Sequence, residues 1–122
     1  MLTLEDIKKD SELVSAIDWD MTPEEAVRLY LEWGNNWARG NYVIRSKDDV
    51  SYYFVINTWE KAPAIYLIRR NSEQADELAK INLPVKLKNR FLDSIGYNKG
   101  VYAIDNEIKT WLKSELDESA KN

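Results

Sequence analysis

The sequence predicts an α+β fold: two N-terminal helices, a three-stranded antiparallel meander and three C-terminal helices, with the helices packed on one face of the sheet. Two observations predict it. Apolar residues recur every three or four positions before residue 41 and after residue 70, as on helices, and alternate between them, as in strands. The length of 122 residues suits one ordinary domain, and we expect residues 1–122 to form it, with a frayed tail at residues 117–122.

Two helices are predicted at the N-terminal end. The first extends from Thr3, a capping residue, to Ile17. The second begins at Thr22, whose hydroxyl is placed to accept from the Glu25 amide while the Glu25 carboxylate accepts from the Thr22 amide. The end of this second helix stays open between residues 34 and 40. Two tryptophans spaced by four positions favour continuation, whereas a Gly–Asn–Asn cluster opposes it.

Three strands are predicted in the middle of the chain. Asn41–Ser46, Ser51–Trp59 and Ala64–Arg70 are rich in β-branched and aromatic residues. The segments that connect them have the length of hairpin loops. Both alternating sets of side chains are apolar in the middle strand, so we expect that strand to be central and at least partly covered on both faces.

Three helices are predicted to follow. The first covers residues 71–81, where Asn71–Glu73 resembles a cap followed by a first-turn acid. The second opens at Pro84 and ends at Gly96, a residue type that favours helix C-termini. The third is capped by Asp105 and carries apolar residues at helical spacing as far as Leu116.

Two side chains that support much of enzyme chemistry are absent, because the chain contains no His and no Cys. This composition excludes a thiolate nucleophile, a disulfide and a histidine general base. Neither a Ser-x-x-Lys nor a Gly-x-Ser-x-Gly motif occurs, and the four glycines have neither Walker nor dinucleotide-binding spacing. Paired carboxylates remain one route to acid–base chemistry, with Glu32 and Glu60 near aromatic residues. We expect no catalytic residue and no cofactor, and an enzyme is the less favoured hypothesis.

One short acidic segment begins like a calcium-binding loop. Asp18, Asp20 and Thr22 stand at alternate positions. The pattern then fails, because Pro23 occupies the glycine position and Leu29 the position of the bidentate glutamate. We therefore expect no metal site, and we interpret the acids as a lead-in to the helix cap.

Charge is unevenly distributed along the chain. The net charge is −4, whereas residues 1–32 carry −6 and residues 80–100 carry +4. An acidic total makes general nucleic-acid binding an unfavoured hypothesis, with the basic segment as a local exception. The separation of the acidic segment 1–32 from the basic segment 80–100 would also permit head-to-tail self-association. No apolar run approaches the ~20 residues of a membrane helix, so we expect no membrane partner and a cytoplasmic location.

Aromatic residues are abundant, with five Trp and seven Tyr against two Phe. Most are expected in the core or half-buried over the sheet: Tyr30, Trp33, Phe54, Trp59, Tyr66 and Trp111. Trp37 differs, because it lies between two glycines among amide side chains and beside an arginine. That segment is either a recognition loop or a helix end that packs Trp37 onto the sheet. Whether Trp37 is exposed stays open.

Two candidate binding segments follow from the aromatic and charge patterns. The polar aromatic segment contributes Asn35, Asn36, Trp37 and Arg39. The basic segment contributes Lys86, Arg90, Tyr97 and Lys99. The alternative is that the basic residues form only the solvated side of a helix.

Several stretches also carry a resemblance to known sequences. They are Met21–Val27, Tyr30–Trp37, Arg69–Ser72 and Gly100–Tyr102, the last followed by the helix that contains Trp111. Along nearly its whole length the sequence resembles a small family of uncharacterised bacterial proteins. The resemblance implies a single-domain bacterial cytoplasmic protein and transfers no activity and no catalytic residue.

These observations favour a small non-enzymatic protein-binding or regulatory module whose partner the sequence does not identify. The main alternative is a small-molecule-binding protein, or an enzyme based on carboxylates and Tyr, with an aromatic pocket. A third hypothesis is nucleic-acid binding through residues 80–100, which would weaken steeply with salt.

Overall fold

The structure, a computed structural model, contains helices and a β-sheet. It describes residues 1–19, 24, 51–59, 62–70, 75–96 and 98–120. Within them the architecture is α+β, as predicted, with four helices and four strands. The elements in chain order are α1 (Leu4–Lys8), α2 (Ser11–Ala16), β1 (Ser51–Asn57), β2 (Ala64–Arg70), β3 (Ala75–Asn82), α3 (Val85–Ile95), β4 (Val101–Ala103) and α4 (Asn106–Ala120).

The four described strands form one antiparallel sheet in the order β3-β2-β1-β4. The two central strands pair along their whole length, with Phe54 opposite Leu67. The short β4 extends the sheet beyond β1, where Tyr102 lies opposite Ile56. The sheet therefore holds α3 and α4, which flank β4 in the sequence, next to each other in the fold.

The prediction of a helix over residues 71–81 is wrong, because Ala75–Asn82 is the edge strand β3. Its helix-forming residue types and a register shift opposite Leu67 and Ile68 hide the strand pattern. Ala79, Ile81 and Leu83, at alternate positions, are all buried in the core. Pairing with β2 overrides the helical propensity, and a local sequence pattern does not reveal such pairing between separate segments.

The numbers of helices and strands also differ in detail from the prediction. Two helices rather than three follow residue 70 in the described part of the chain, and the three residues of β4 are a strand that was not predicted. The predicted strand Asn41–Ser46 lies outside the described residues, as does the predicted helix that begins at Thr22 except for Glu24, which is helical.

The prediction of a single helix over residues 3–17 is also wrong, because the chain divides into α1 and α2. Asp10 caps α2, and its carboxylate accepts a hydrogen bond from the Leu13 amide at 3.1 Å. Ile7 in α1 and Ile17, which follows α2, are both buried in the core.

The main core lies between the described helices and one face of the sheet. Phe54 and Ile56 of β1 belong to this face and pack with helix residues. Its buried members are Ile7, Ile17, Phe54, Ile56, Ile65, Leu67, Ala79, Ile81, Leu83, Phe91, Ile108, Leu112 and Leu116. The opposite face is buried as well, with Tyr53 and Val55 at most 1% exposed. The predicted central strand is therefore covered on both faces.

The N-terminal segment crosses the helical face of the sheet from one edge to the other. The Leu2 amide donates to Leu78 O at 2.8 Å, and Lys80 N donates to Leu2 O at 3.1 Å, along the outer edge of β3. At the opposite end, Asp18 N donates to Tyr52 O at 2.8 Å beside β4. Residues 1–19 thus pair backbone groups of β3 at one end of the segment and of β1 at the other.

A salt bridge ties this crossing segment to α4. The ammonium of Lys8 lies 3.0 Å from Glu115 Oε2 and 3.3 Å from Glu5 Oε1. The hydrogen bond to Glu115 raises the pKa of Lys8, and the bond to Glu5 acts in the same direction.

The capping box of α1 predicts a measurable acid titration. Asp6 Oδ2 accepts from the Thr3 amide at 2.9 Å and from the Thr3 hydroxyl at 3.0 Å. These bonds hold the pKa of Asp6 below its usual value of 3.8. Because the folded pKa is lower than the unfolded one, the stabilisation is complete above about pH 4 and is lost as pH falls through the folded pKa.

We expect a carboxyl-detected NMR titration to place the Asp6 midpoint below 3.8. Thr3→Ala should move that midpoint upwards, because the hydroxyl donor is removed while the backbone donor remains. A wild-type midpoint at or above 3.8 would contradict the described capping box.

Candidate functional site

An open groove of about 650 Å³ lies between α3 and α4. Its walls come from the N-terminal halves of both helices, and its lining is mostly apolar. Leu87 and Trp111, both half-buried against the core, belong to the lining. Lys86, Arg90 and Glu107 supply charged groups.

Local sequence places α3 so that one of its sides faces the groove. The helix begins after Pro84, which fits a first turn, and ends at Gly96, whose φ of +69° is favourable for glycine. Phe91 is buried and fixes the helix against the sheet. Lys86 and Arg90, four residues apart, then share the adjacent side that lines the groove.

The second wall of the groove follows from the apolar stripe of α4. Asp105 caps this helix, and its carboxylate accepts from the Ile108 amide at 2.8 Å. Ile108 and Leu112 are buried at a spacing of four. The side next to this stripe presents Glu107 and Trp111 to the groove.

One ion pair joins the two helices across the groove. The guanidinium of Arg90 donates to the Glu107 carboxylate, and both side chains are substantially exposed. Lys86, one helical turn before Arg90, is exposed and has no ion pair among the described residues. The groove therefore has one internally satisfied cation and one cation that faces solvent.

The buried Thr58, just after β1, holds the loop that carries Lys99. The Thr58 hydroxyl accepts from Gly100 N at 2.8 Å and donates to Asn98 O at 3.1 Å. These bonds fix the loop that carries Lys99, which is exposed. Lys99 lies beyond the C-terminal end of α3 and does not line the groove.

Trp59 corrects the expectation that the sheet aromatics are buried. Phe54 and Tyr66 are buried as predicted and Trp111 is half-buried, but Trp59 is 62% exposed. β1 ends at Asn57, so Trp59 lies in the connection to β2 rather than on a sheet face. Strand composition extended the predicted strand two residues too far.

The structure brings together two of the eight candidate binding residues. Lys86 and Arg90 line the same groove, and Lys99 lies apart from it. The other candidates, Asn35, Asn36, Trp37, Arg39 and Tyr97, lie outside the described residues.

Sequence reasoning missed the part of the groove that α4 supplies. Glu107 and Thr110 carried no signal of their own, and Trp111 was expected only as a core or sheet-cover residue. The Arg90–Glu107 pair joins residues 17 positions apart, beyond the reach of any helical periodicity. The one available signal was the opposite charge of Arg90 in α3 and Glu107 in α4, which is compatible with a pair between the two helices.

Two further properties concern metals and membranes. In the part of the chain that the structure describes, no three His, Cys, Asp or Glu side chains cluster so that they could hold a metal ion. None of the described helices combines the length and apolar character needed to span a membrane.

Comparison with known family models, with curated proteins and with solved structures finds no match.

Proposed function

We propose that this protein is a small cytoplasmic, non-enzymatic module that binds a segment of another protein in the α3–α4 groove. The observation that carries the proposal is the groove itself: about 650 Å³, with a mostly apolar lining and charged groups at its edges. Apolar centres with polar rims are typical of protein-binding surfaces.

The open shape of the groove favours a protein segment over a small molecule. Small-molecule sites enclose most of the ligand surface, whereas this groove is open to solvent. Two helices that flank a shallow apolar channel resemble the surfaces on which partner segments lay their apolar side chains. Trp111 is the natural anchor, because aromatic residues contribute strongly to such contacts.

A blocking substitution tests the proposal. Thr110 is exposed on α4 and lines the groove, so Thr110→Tyr fills the channel without opening the core. Ser114→Tyr places the same side chain one turn further along α4, at an exposed position outside the groove lining. This pair separates occlusion of the groove from a general effect of adding an aromatic side chain to α4.

A random peptide library displayed on phage is selected against the wild-type protein, and selected peptides are then measured on both variants. We expect binding to Ser114→Tyr to match wild type and binding to Thr110→Tyr to fall by at least about tenfold, equivalent to about 1.4 kcal/mol. Circular dichroism and thermal unfolding check that both variants fold. No selected peptides, or peptides insensitive to Thr110→Tyr, would refute the proposed function.

A further inference from the structure

The charges around the groove are unbalanced towards the positive. Lys86 and Arg90 lie one turn apart on α3, while Glu107 is the carboxylate in the lining. Glu107 is already bonded to Arg90. An occupant of the groove therefore meets Lys86 as the cation that is free of ion pairs within the described residues.

No acidic residue in the first turn of α3 offsets this charge, and Asp93, the one acid of the helix, lies near its C-terminal end. Pro84 makes no side-chain capping bond. Lys88, half-buried on the same helix, adds a further positive charge. Cations at a helix N-terminus oppose the helix dipole, so a carboxylate beside Lys86 improves the local electrostatics as well as pairing with the lysine.

The apolar lining indicates that the bound segment also carries apolar side chains. Leu87 and Trp111 line the groove together with Lys86. The wall from Pro84 to Arg90 spans seven residues, or about 10 Å along a helix. Such a length accommodates one or two large apolar side chains of a partner.

We infer that the segment bound in the groove is both apolar and acidic: it places a large apolar side chain on Leu87 and Trp111 and a carboxylate next to Lys86. The inference rests on the proposed function, since it names the chemistry of the partner at the same site. Charge complementarity selects this partner over a neutral or basic one.

The test compares two lysines. Lys86 lines the groove, and Lys99 is also exposed but lies outside it, so Lys86→Glu and Lys99→Glu make the same change of charge at different places. The probes are the groove-dependent peptides selected as above, together with synthetic copies in which each Asp or Glu is replaced by its amide. Affinities are measured by fluorescence anisotropy at low and high salt.

We expect the groove-dependent peptides to contain Asp or Glu close to Leu, Ile, Phe or Trp. Lys86→Glu should weaken their binding by about threefold to tenfold, as the loss of an exposed charge pair and its reversal imply, while Lys99→Glu changes it by less than about twofold. The amide peptide should bind wild type more weakly and be nearly insensitive to Lys86→Glu. Raised salt should reduce the difference between acidic and amide peptides.

The outcomes distinguish the two claims. Peptides that depend on the groove but lack acidic residues, or that bind Lys86→Glu as well as wild type, would overturn the acidic partner and leave the proposed function standing. Peptides that bind Thr110→Tyr as tightly as wild type would refute both the proposed function and the acidic partner. Analytical ultracentrifugation of the protein alone tests whether a second copy of this chain occupies the groove. Self-association that Lys86→Glu abolishes would assign the groove to that second copy and overturn the inference.

Discussion

Arg70→Ala is expected to lower the free energy of unfolding by about 3 to 5 kcal/mol, the range for truncating a large side chain that is fully buried. Arg70 ends β2 and is 0% exposed. A guanidinium keeps its charge, so full burial is tolerated only where surrounding groups compensate it. Truncation removes the interactions that the buried Arg70 side chain makes and opens a space in the packing.

The neighbouring residue provides the control. Arg69 precedes Arg70 on β2, its side chain is 37% exposed, and its guanidinium lies 3.9 Å from Asp76 Oδ2. Arg69→Ala should therefore cost less than about 1 kcal/mol, as exposed pairs do. Urea denaturation followed by circular dichroism measures both variants. Equal losses from the two substitutions would show that burial of Arg70 does not determine its contribution.

Leu112→Ala lowers the free energy of unfolding by about 3 to 4 kcal/mol. Leu112 is 0% exposed and lies between Ile108 and Leu116 on the side of α4 that packs onto the sheet. Loss of its side chain removes apolar burial and leaves a cavity beneath the helix that forms one wall of the groove. Differential scanning calorimetry should show the loss as a lower Tm.

An exposed aliphatic residue is the matched comparison for Leu112. Val85 begins α3 and is 68% exposed, so Val85→Ala should change the free energy of unfolding by less than about 0.5 kcal/mol. A loss of under about 1 kcal/mol for Leu112→Ala would contradict the described packing of α4.

Local chemistry made the C-terminal helices predictable. Pro84, Gly96 and Asp105 act within one turn of the backbone that they cap or terminate, so their effects are visible in sequence. The structure confirms each of these three boundaries. The central strands β1 and β2 were predicted for a related reason, since β-branched and aromatic residues dominate them, although β1 ends two residues before the predicted boundary.

Long-range pairing accounts for what the sequence did not reveal. Ala75–Asn82 has the residues of a helix and becomes a strand because β2 lies beside it. The three residues of β4 are too few to show a period. At the groove, Lys86 and Arg90 were predictable from charge alone, whereas Glu107 and Trp111 join them only because α3 and α4 are neighbours in the fold.

The N-terminal crossing segment imposes an order of assembly on the protein. Its two ends pair with Tyr52 and with Leu78 and Lys80, so during synthesis residues 1–19 complete their docking only after the chain has grown past residue 80. Contacts of such large separation form slowly, because a long loop must close first. Until then the backbone groups of Tyr52, Leu78 and Lys80 are open to pairing with other chains, and docking of the segment pairs them.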